Sequence, residues 1–185
     1  MKFNPGIEGL RGIAIILVVL AHSGVPGMDA GFVGVDVFFV ISGFLITGLL
    51  VGEFRREGRI NYWDFYARRV RRLVPALVLM VGIVTLAVVF LVPRPSWEAH
   101  LWPGAWALFW VSNIYFSIAD LDYFGPAATE SLFLHTWSLG VEEQFYLLWP
   151  LLLALLLRRG RAGWQWLALA AALGFALCIA TISAS

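Results

Sequence analysis

Hydrophobic positions along the chain fall into long runs, and the polar positions gather between them. Ile7 to Ser23, Val35 to Val51, Pro75 to Val92, Leu139 to Leu157 and Trp164 to Ile182 are each long and apolar enough to cross a hydrocarbon core as a helix. Leu101 to Ile118 is a weaker sixth run, interrupted by Pro103 and carrying Ser112 and Asn113. Pro75 suits the opening position of its helix, where a missing N–H costs nothing. The pattern predicts an all-α integral membrane protein, a polytopic bundle of about five or six transmembrane helices. No internal repeat, linker or separate soluble domain is visible in residues 1–185, and the longest polar stretch runs from Glu53 to Arg72.

Composition names the solvent. With 61% hydrophobic residues, 14% charged residues and a mean hydropathy of +0.83, the chain cannot cover itself with a polar surface, so its partner is the lipid bilayer. A net charge of +1 carries no footprint for nucleic acid. The single cysteine, Cys178, lies in an apolar run and excludes an internal disulfide. Arginine sets the orientation. "EFRREGRINYWDFYARRVRR" and "RRGR" at 158–161 both belong on the cytoplasmic side of a plasma (inner) membrane, which puts the N-terminus there too. An even number of crossings must then separate the two basic loops. Leu139 to Leu157 pairs with the third run, so Leu101 to Ile118 is expected to re-enter or to lie in the outer interface. Lys2, a short apolar stretch and "AHS" resemble a signal peptide, but Glu8, Arg11 and the spans that follow favour an uncleaved first span.

Ionisable residues inside apolar runs mark candidate chemistry. Arg11 and His22 stand eleven positions apart, which returns a helix to nearly the same face about 16 Å further along. They would line one wall, suited to two parts of one long ligand; taken singly, Arg11 reads as a snorkelling anchor and His22 as an interfacial residue. Ser138, Glu142 and Tyr146 recur every four residues and form a polar stripe on the run Leu139 to Leu157, with His135 just before it, as a site or channel lining would. Ser42 and Gly43 are small residues at mid-span, which permit close helix packing or a narrow channel. His22, Asp36, His135 and Glu142 show no tight ligand spacing, so no metal is expected.

Four stretches in fixed order carry a family resemblance: "GLRGIAIILVVLAH", "GFVGVDVFFVISGFLITGLL", "FYARRVRRLVPAL" and "LHTWSLGVEEQFYLLWP". From about residue 5 to residue 157 the chain resembles the membrane-bound acyltransferase-3 family, which O-acylates glycans and other hydroxyl acceptors. Arg11 and His22 match the family's arginine and histidine with ten residues between them. Arg68, Arg69, Arg72 and Pro75 match its "RRxxRxxP", and Trp137, Ser138, Leu139, Glu142, Glu143, Phe145 and Tyr146 match "WSLxxEExFY". The resemblance implies a membrane enzyme that takes an acyl group, commonly acetyl, from cytoplasmic acyl-CoA as donor substrate, with no permanently bound cofactor. The acceptor would be a glycan or lipid-linked sugar outside the membrane. Family members have about ten spans, so residues 1–185 are expected to be the N-terminal half of the domain, completed by a C-terminal half or a partner membrane protein.

Acyl transfer from a thioester to a hydroxyl needs a base, a held donor and charge stabilisation at the carbonyl. His22 suits the base, since imidazole is mostly neutral near pH 7; Asp36, opening the second span, would orient it, or serve only as a helix N-terminal charge. Arg68, Arg69 and Arg72 suit the donor's phosphates, because guanidinium matches phosphate bidentately, and Ser42 would sit along the donor's arm. Their bland role is a positive-inside anchor. His135, Trp137, Ser138, Glu142 and Tyr146 would line the channel or acceptor site. Two other readings stand beside this one: a transporter or interaction protein without covalent chemistry, and an inactive truncated paralogue.

Overall fold

A computed structural model describes residues 4–23, 25–119 and 131–184 of the chain. The first helix, α1 (Pro5–His22), starts where its sequence dictates: Asn4 caps it by accepting the Gly6 N–H at 3.0 Å, and Pro5 takes the first helical position. A 3₁₀ turn, Asp29–Phe32, leads into α2 (Val33–Glu57), which ends on Gly58 at φ 68°, a conformation glycine adopts without strain. The turn that follows is tied inward, since the buried carboxylate of Glu53 accepts the Asn61 N–H at 2.8 Å. Asn61 in turn caps α3 (Tyr62–Leu91) by accepting the Asp64 N–H at 3.3 Å.

Two expectations are corrected here. Pro75 does not open the third helix but sits inside it, because the basic stretch from Tyr62 to Arg72 is itself helical and α3 runs for 30 residues. Pro103 does not interrupt the weak run. It lies inside α4 (Trp97–Leu108), and the break comes later, at Trp110, whose φ is 56°. α5 (Ser112–Ile118) follows that break. At 1.5 Å per residue α4 and α5 span about 18 Å and 10 Å, and neither reaches across a core of roughly 30 Å. α6 (Thr136–Arg159) and α7 (Arg161–Ala184) complete the order. Five of these helices, α1, α2, α3, α6 and α7, are long and apolar enough to cross a membrane, so this is a multi-pass membrane protein.

Small residues bring α1 and α2 together, at a place the sequence reading did not single out. A Cβ on Gly31 would stand 2.2 Å from the Leu17 carbonyl oxygen, and one on Gly34 would stand 2.4 Å from that of Ala14. Gly43, by contrast, has only the Phe145 ring near it, at 3.9 Å. α6 is tied to two neighbours by hydrogen bonds: the Trp149 indole donates to Thr47 of α2 at 2.8 Å, and the Tyr66 hydroxyl of α3 donates to the Leu147 carbonyl at 2.7 Å. Ile46, Leu50, Phe65, Tyr146 and Leu153 form the core between α2, α3 and α6. Leu77, Val81, Phe116 and Phe133 form a second core, where α3 meets α5 and the segment before α6.

The break at Trp110 is held from α6. Gln144 donates to the Trp110 carbonyl at 3.0 Å and exchanges amide hydrogen bonds with Asn113 at 2.9 and 3.2 Å. Gly140 lies under this clamp, where a Cβ would stand 2.7 Å from the Asn113 side-chain oxygen and 3.1 Å from the Trp110 carbonyl oxygen. Gly140→Ala is therefore expected to cost about 1–3 kcal/mol by forcing the amide pair apart. Thermal unfolding of the detergent-solubilised variant checks this, and an unchanged melting temperature would show that the clamp has room to give.

Candidate active site

Residues from four separate stretches of sequence meet in one cavity of about 380 Å³. α1 supplies Arg11, α2 supplies Ser42, α3 supplies Arg68, Arg69 and Arg72, and α6 supplies Glu142, Glu143 and Tyr146. The arginines of α3 divide by helical phase. Arg68 and Arg72, four apart, share one exposed face, while Arg69, about 100° away, turns toward α6. Its guanidinium carbon lies 3.2 Å from the centroid of the Tyr146 ring and 5.4 Å from that of Phe65, and its Nη1 is 3.7 Å from the Glu143 carboxylate. Arg71 stays outside the cavity, exposed, with its Nε donating to the Ala67 carbonyl at 3.1 Å.

Arg11 approaches the cavity from the other side. It lies 5.3 Å above the Phe38 ring of α2, and its Nη1 is 3.6 Å from Glu8. Burial leaves its Nε without a hydrogen-bond partner. Ser42 is buried, and the Tyr146 hydroxyl donates to the Glu142 carboxylate, which joins two members of the expected polar stripe. The cavity thus pairs a cluster of guanidinium groups with a carboxylate-lined wall, an arrangement that holds an anionic ligand at one end and orients polar atoms at the other.

The remaining candidates lie elsewhere. His22 is exposed at the C-terminal end of α1, away from this cavity, and its Nδ1 is 2.8 Å from the Val18 carbonyl. A carbonyl can only accept, so Nδ1 is the donor, and in the neutral ring Nε2 carries the lone pair. His135, just before α6, is exposed and close enough to His22 for their charges to interact. Its pKa is lowered, first by desolvation and then by His22. Asp36 is exposed in the first turn of α2. Trp137 packs edge-on against Phe39 of α2, with ring centroids 6.3 Å apart, and Ser138 donates to the His135 carbonyl at 3.2 Å, within its own turn. Among the described residues, no group of three or more His, Cys, Asp or Glu side chains is placed to hold a metal ion.

Glu143 is the charged cavity residue to which sequence reasoning gave no role. Its signal was present: a second carboxylate in an apolar helix, 100° out of phase with Ser138, Glu142 and Tyr146, has to face a different neighbour. That neighbour is Arg69.

Comparison with known proteins places the chain among acyltransferases. O-acetyltransferase OatA of Staphylococcus aureus (strain NCTC 8325 / PS 47) is 41% identical over 160 residues, covering 85% of this chain and 26% of the relative. Peptidoglycan O-acetyltransferase OatA of Listeria monocytogenes serovar 1/2a is 39% identical over 158 residues, covering 85% of this chain and 25% of the relative. The chain therefore spans about a quarter of the length of the curated relatives it matches. No solved structure matches it. The family model described as acyltransferase domain matches residues 4–184, nearly the whole sequence, and the chain belongs to the acyltransferase-3 family.

Proposed function

We propose that the chain forms the donor-binding part of a membrane O-acyltransferase that moves an acetyl group from acetyl-CoA to a hydroxyl of peptidoglycan. The observation that carries this is the cavity where Arg11, Arg68, Arg69 and Arg72 converge from α1 and α3. Coenzyme A is rich in phosphate, and four guanidinium groups around one space supply the fixed positive charge it requires. Peptidoglycan enters as acceptor through the name of the Listeria relative. The basic stretches at 53–72 and 158–161 support an orientation with the cavity's arginine end on the cytoplasmic side of the plasma membrane, where the donor is made, and His22 toward the acceptor's side.

In this reading the donor's phosphates rest on Arg68, Arg69 and Arg72, its arm passes Ser42, and the thioester is carried toward His22. Nε2 of His22 takes the proton of the acceptor hydroxyl as its oxygen attacks the thioester carbonyl. The C–S bond then breaks and the thiolate of coenzyme A leaves. Arg11, about 16 Å from His22 along the same helix face, holds the donor's other end.

Transfer of labelled acetyl from acetyl-CoA to peptidoglycan, measured in membranes containing the chain alone or extended past Ser185, tests the proposal. Absence of label in both preparations would refute it. A finer test separates anchoring from binding. Arg68→Lys, Arg69→Lys and Arg72→Lys keep the positive charge that fixes topology, yet lose the bidentate fork. Each is expected to weaken coenzyme A binding about tenfold while protease mapping of the loops stays unchanged. Undiminished binding in all three would return the cluster to a topological anchor.

A further inference from the structure

Three cavities follow one another through shared wall residues, and their walls change from charged to apolar along the way. The arginine cavity shares Arg69, Glu143 and Tyr146 with a second cavity of about 330 Å³, walled further by Tyr66, Val70 and Leu147. The second shares Phe109 and Val111 with a third, of about 230 Å³, which Trp102, Ala105 and Trp106 complete without a charged side chain. α4 packs against α3 and runs back from its far end, so the track leads from the basic end of α3 toward its apolar end.

We propose that, when no acyl-CoA occupies the arginine cavity, this track binds a phosphate-headed lipid that competes with the donor for Arg69, with its phosphate at Arg69 and one hydrocarbon tail lying past Val70, Phe109 and Val111 to Trp102 and Trp106. Arg69 is only half engaged: its Nη1 stands 3.7 Å from Glu143, beyond hydrogen-bond length, and its buried Nε has no hydrogen-bond partner. A phosphate offers several acceptor oxygens and full charge, and so can replace Glu143 on this guanidinium. Glu143 opposes an anion, and the exposed Arg68 and Arg72 beside it offset that repulsion. An uncharged headgroup has nothing with which to displace the carboxylate. A soluble anion would leave the apolar track beyond Phe109 unused. Head at the basic end and tail toward the bilayer interior is also how a lipid of that leaflet lies.

Glycerophospholipids and polyprenyl phosphates share this chemistry, and the test separates them. The full chain is purified in neutral detergent and offered equal amounts of phosphatidic acid, a polyprenyl phosphate and diacylglycerol. Bound lipid is then counted by native mass spectrometry. At least one phosphate lipid is expected to be retained about tenfold more than diacylglycerol, and which one identifies the source. Arg69→Gln should abolish that preference. Val111→Trp and Ala105→Phe, which block the track from different sides, should each lower retention roughly fivefold. Their melting temperatures are recorded alongside, so that a misfolded variant is set aside and the other decides. Equal retention of diacylglycerol, a preference that survives Arg69→Gln, or full retention in the folded blocking variants would each overturn the proposal.

Discussion

His22→Ala leaves the chain in the membrane and lowers acyl transfer by about two to four orders of magnitude, the contribution a general base makes. His22 is exposed at the end of α1, and the described contact it loses within the helix is the 2.8 Å bond from Nδ1 to Val18. The lone pair on Nε2, the atom assigned to the acceptor proton, disappears with the ring. Coenzyme A affinity should stay within about twofold, because the arginine cavity does not include His22. Labelled-acetyl transfer and coenzyme A binding, measured on one membrane preparation, check both halves. Near-normal transfer would remove His22 from the chemistry, and a lost donor affinity would point to a structural role.

Gly34→Val is expected to destabilise the fold by about 1–3 kcal/mol or more, and to impair donor binding at a site it never touches. Its Cβ would stand 2.4 Å from the Ala14 carbonyl oxygen and 2.9 Å from Val18 Cγ2. A backbone oxygen cannot rotate away, so α1 itself must move. Arg11 rides on α1 and is held over Phe38 of α2 at 5.3 Å, so the same displacement draws it off the cavity. The readouts are a lower melting temperature together with weaker coenzyme A binding. Wild-type values for both would show that the α1–α2 contact tolerates a side chain. Gly12→Val serves as the control, since a Cβ there meets no atom within 4 Å.

Much of this was legible in the sequence, and the reasons are physical. The five long runs read directly because the bilayer demands unbroken apolar length, and each became one helix. Arg11, Glu142 and Tyr146 stood out as polar residues in the runs, Ser42 as a small residue at mid-span, and Arg68, Arg69 and Arg72 through the motif they match; the structure gathers all seven into one cavity. Helix ends were harder to place. Hydropathy saw α3 begin at Pro75, although the arginine-rich turns before it are equally helical; helix formation depends on backbone hydrogen bonds, which charged side chains do not interrupt. The break at Trp110 was invisible, because Gln144 fixes it from 34 positions away. Gly31 and Gly34 were passed over in favour of Ser42 and Gly43. A small residue announces close packing only once its neighbour is known, and α1 turned out to lie against the former pair. Glu143 escaped for the same reason, since its partner Arg69 belongs to another helix.

Pro75 gives α3 a mechanical property that an unbroken row of backbone bonds would not allow. A proline has no N–H to donate, so the carbonyl four residues earlier, that of Arg71, lacks its helical partner, and the ring crowds it as well. Bending stiffness is lowest at that point, and thermal bending of the rod concentrates there. On one side lie the turns bearing Arg68, Arg69, Arg71 and Arg72; on the other lie the apolar turns packed through Leu77 and Val81. α3 therefore behaves as two stiff segments on a soft joint, the charged one seated on α6 through Phe65 and the Tyr66–Leu147 hydrogen bond and the apolar one through Leu77 and Val81.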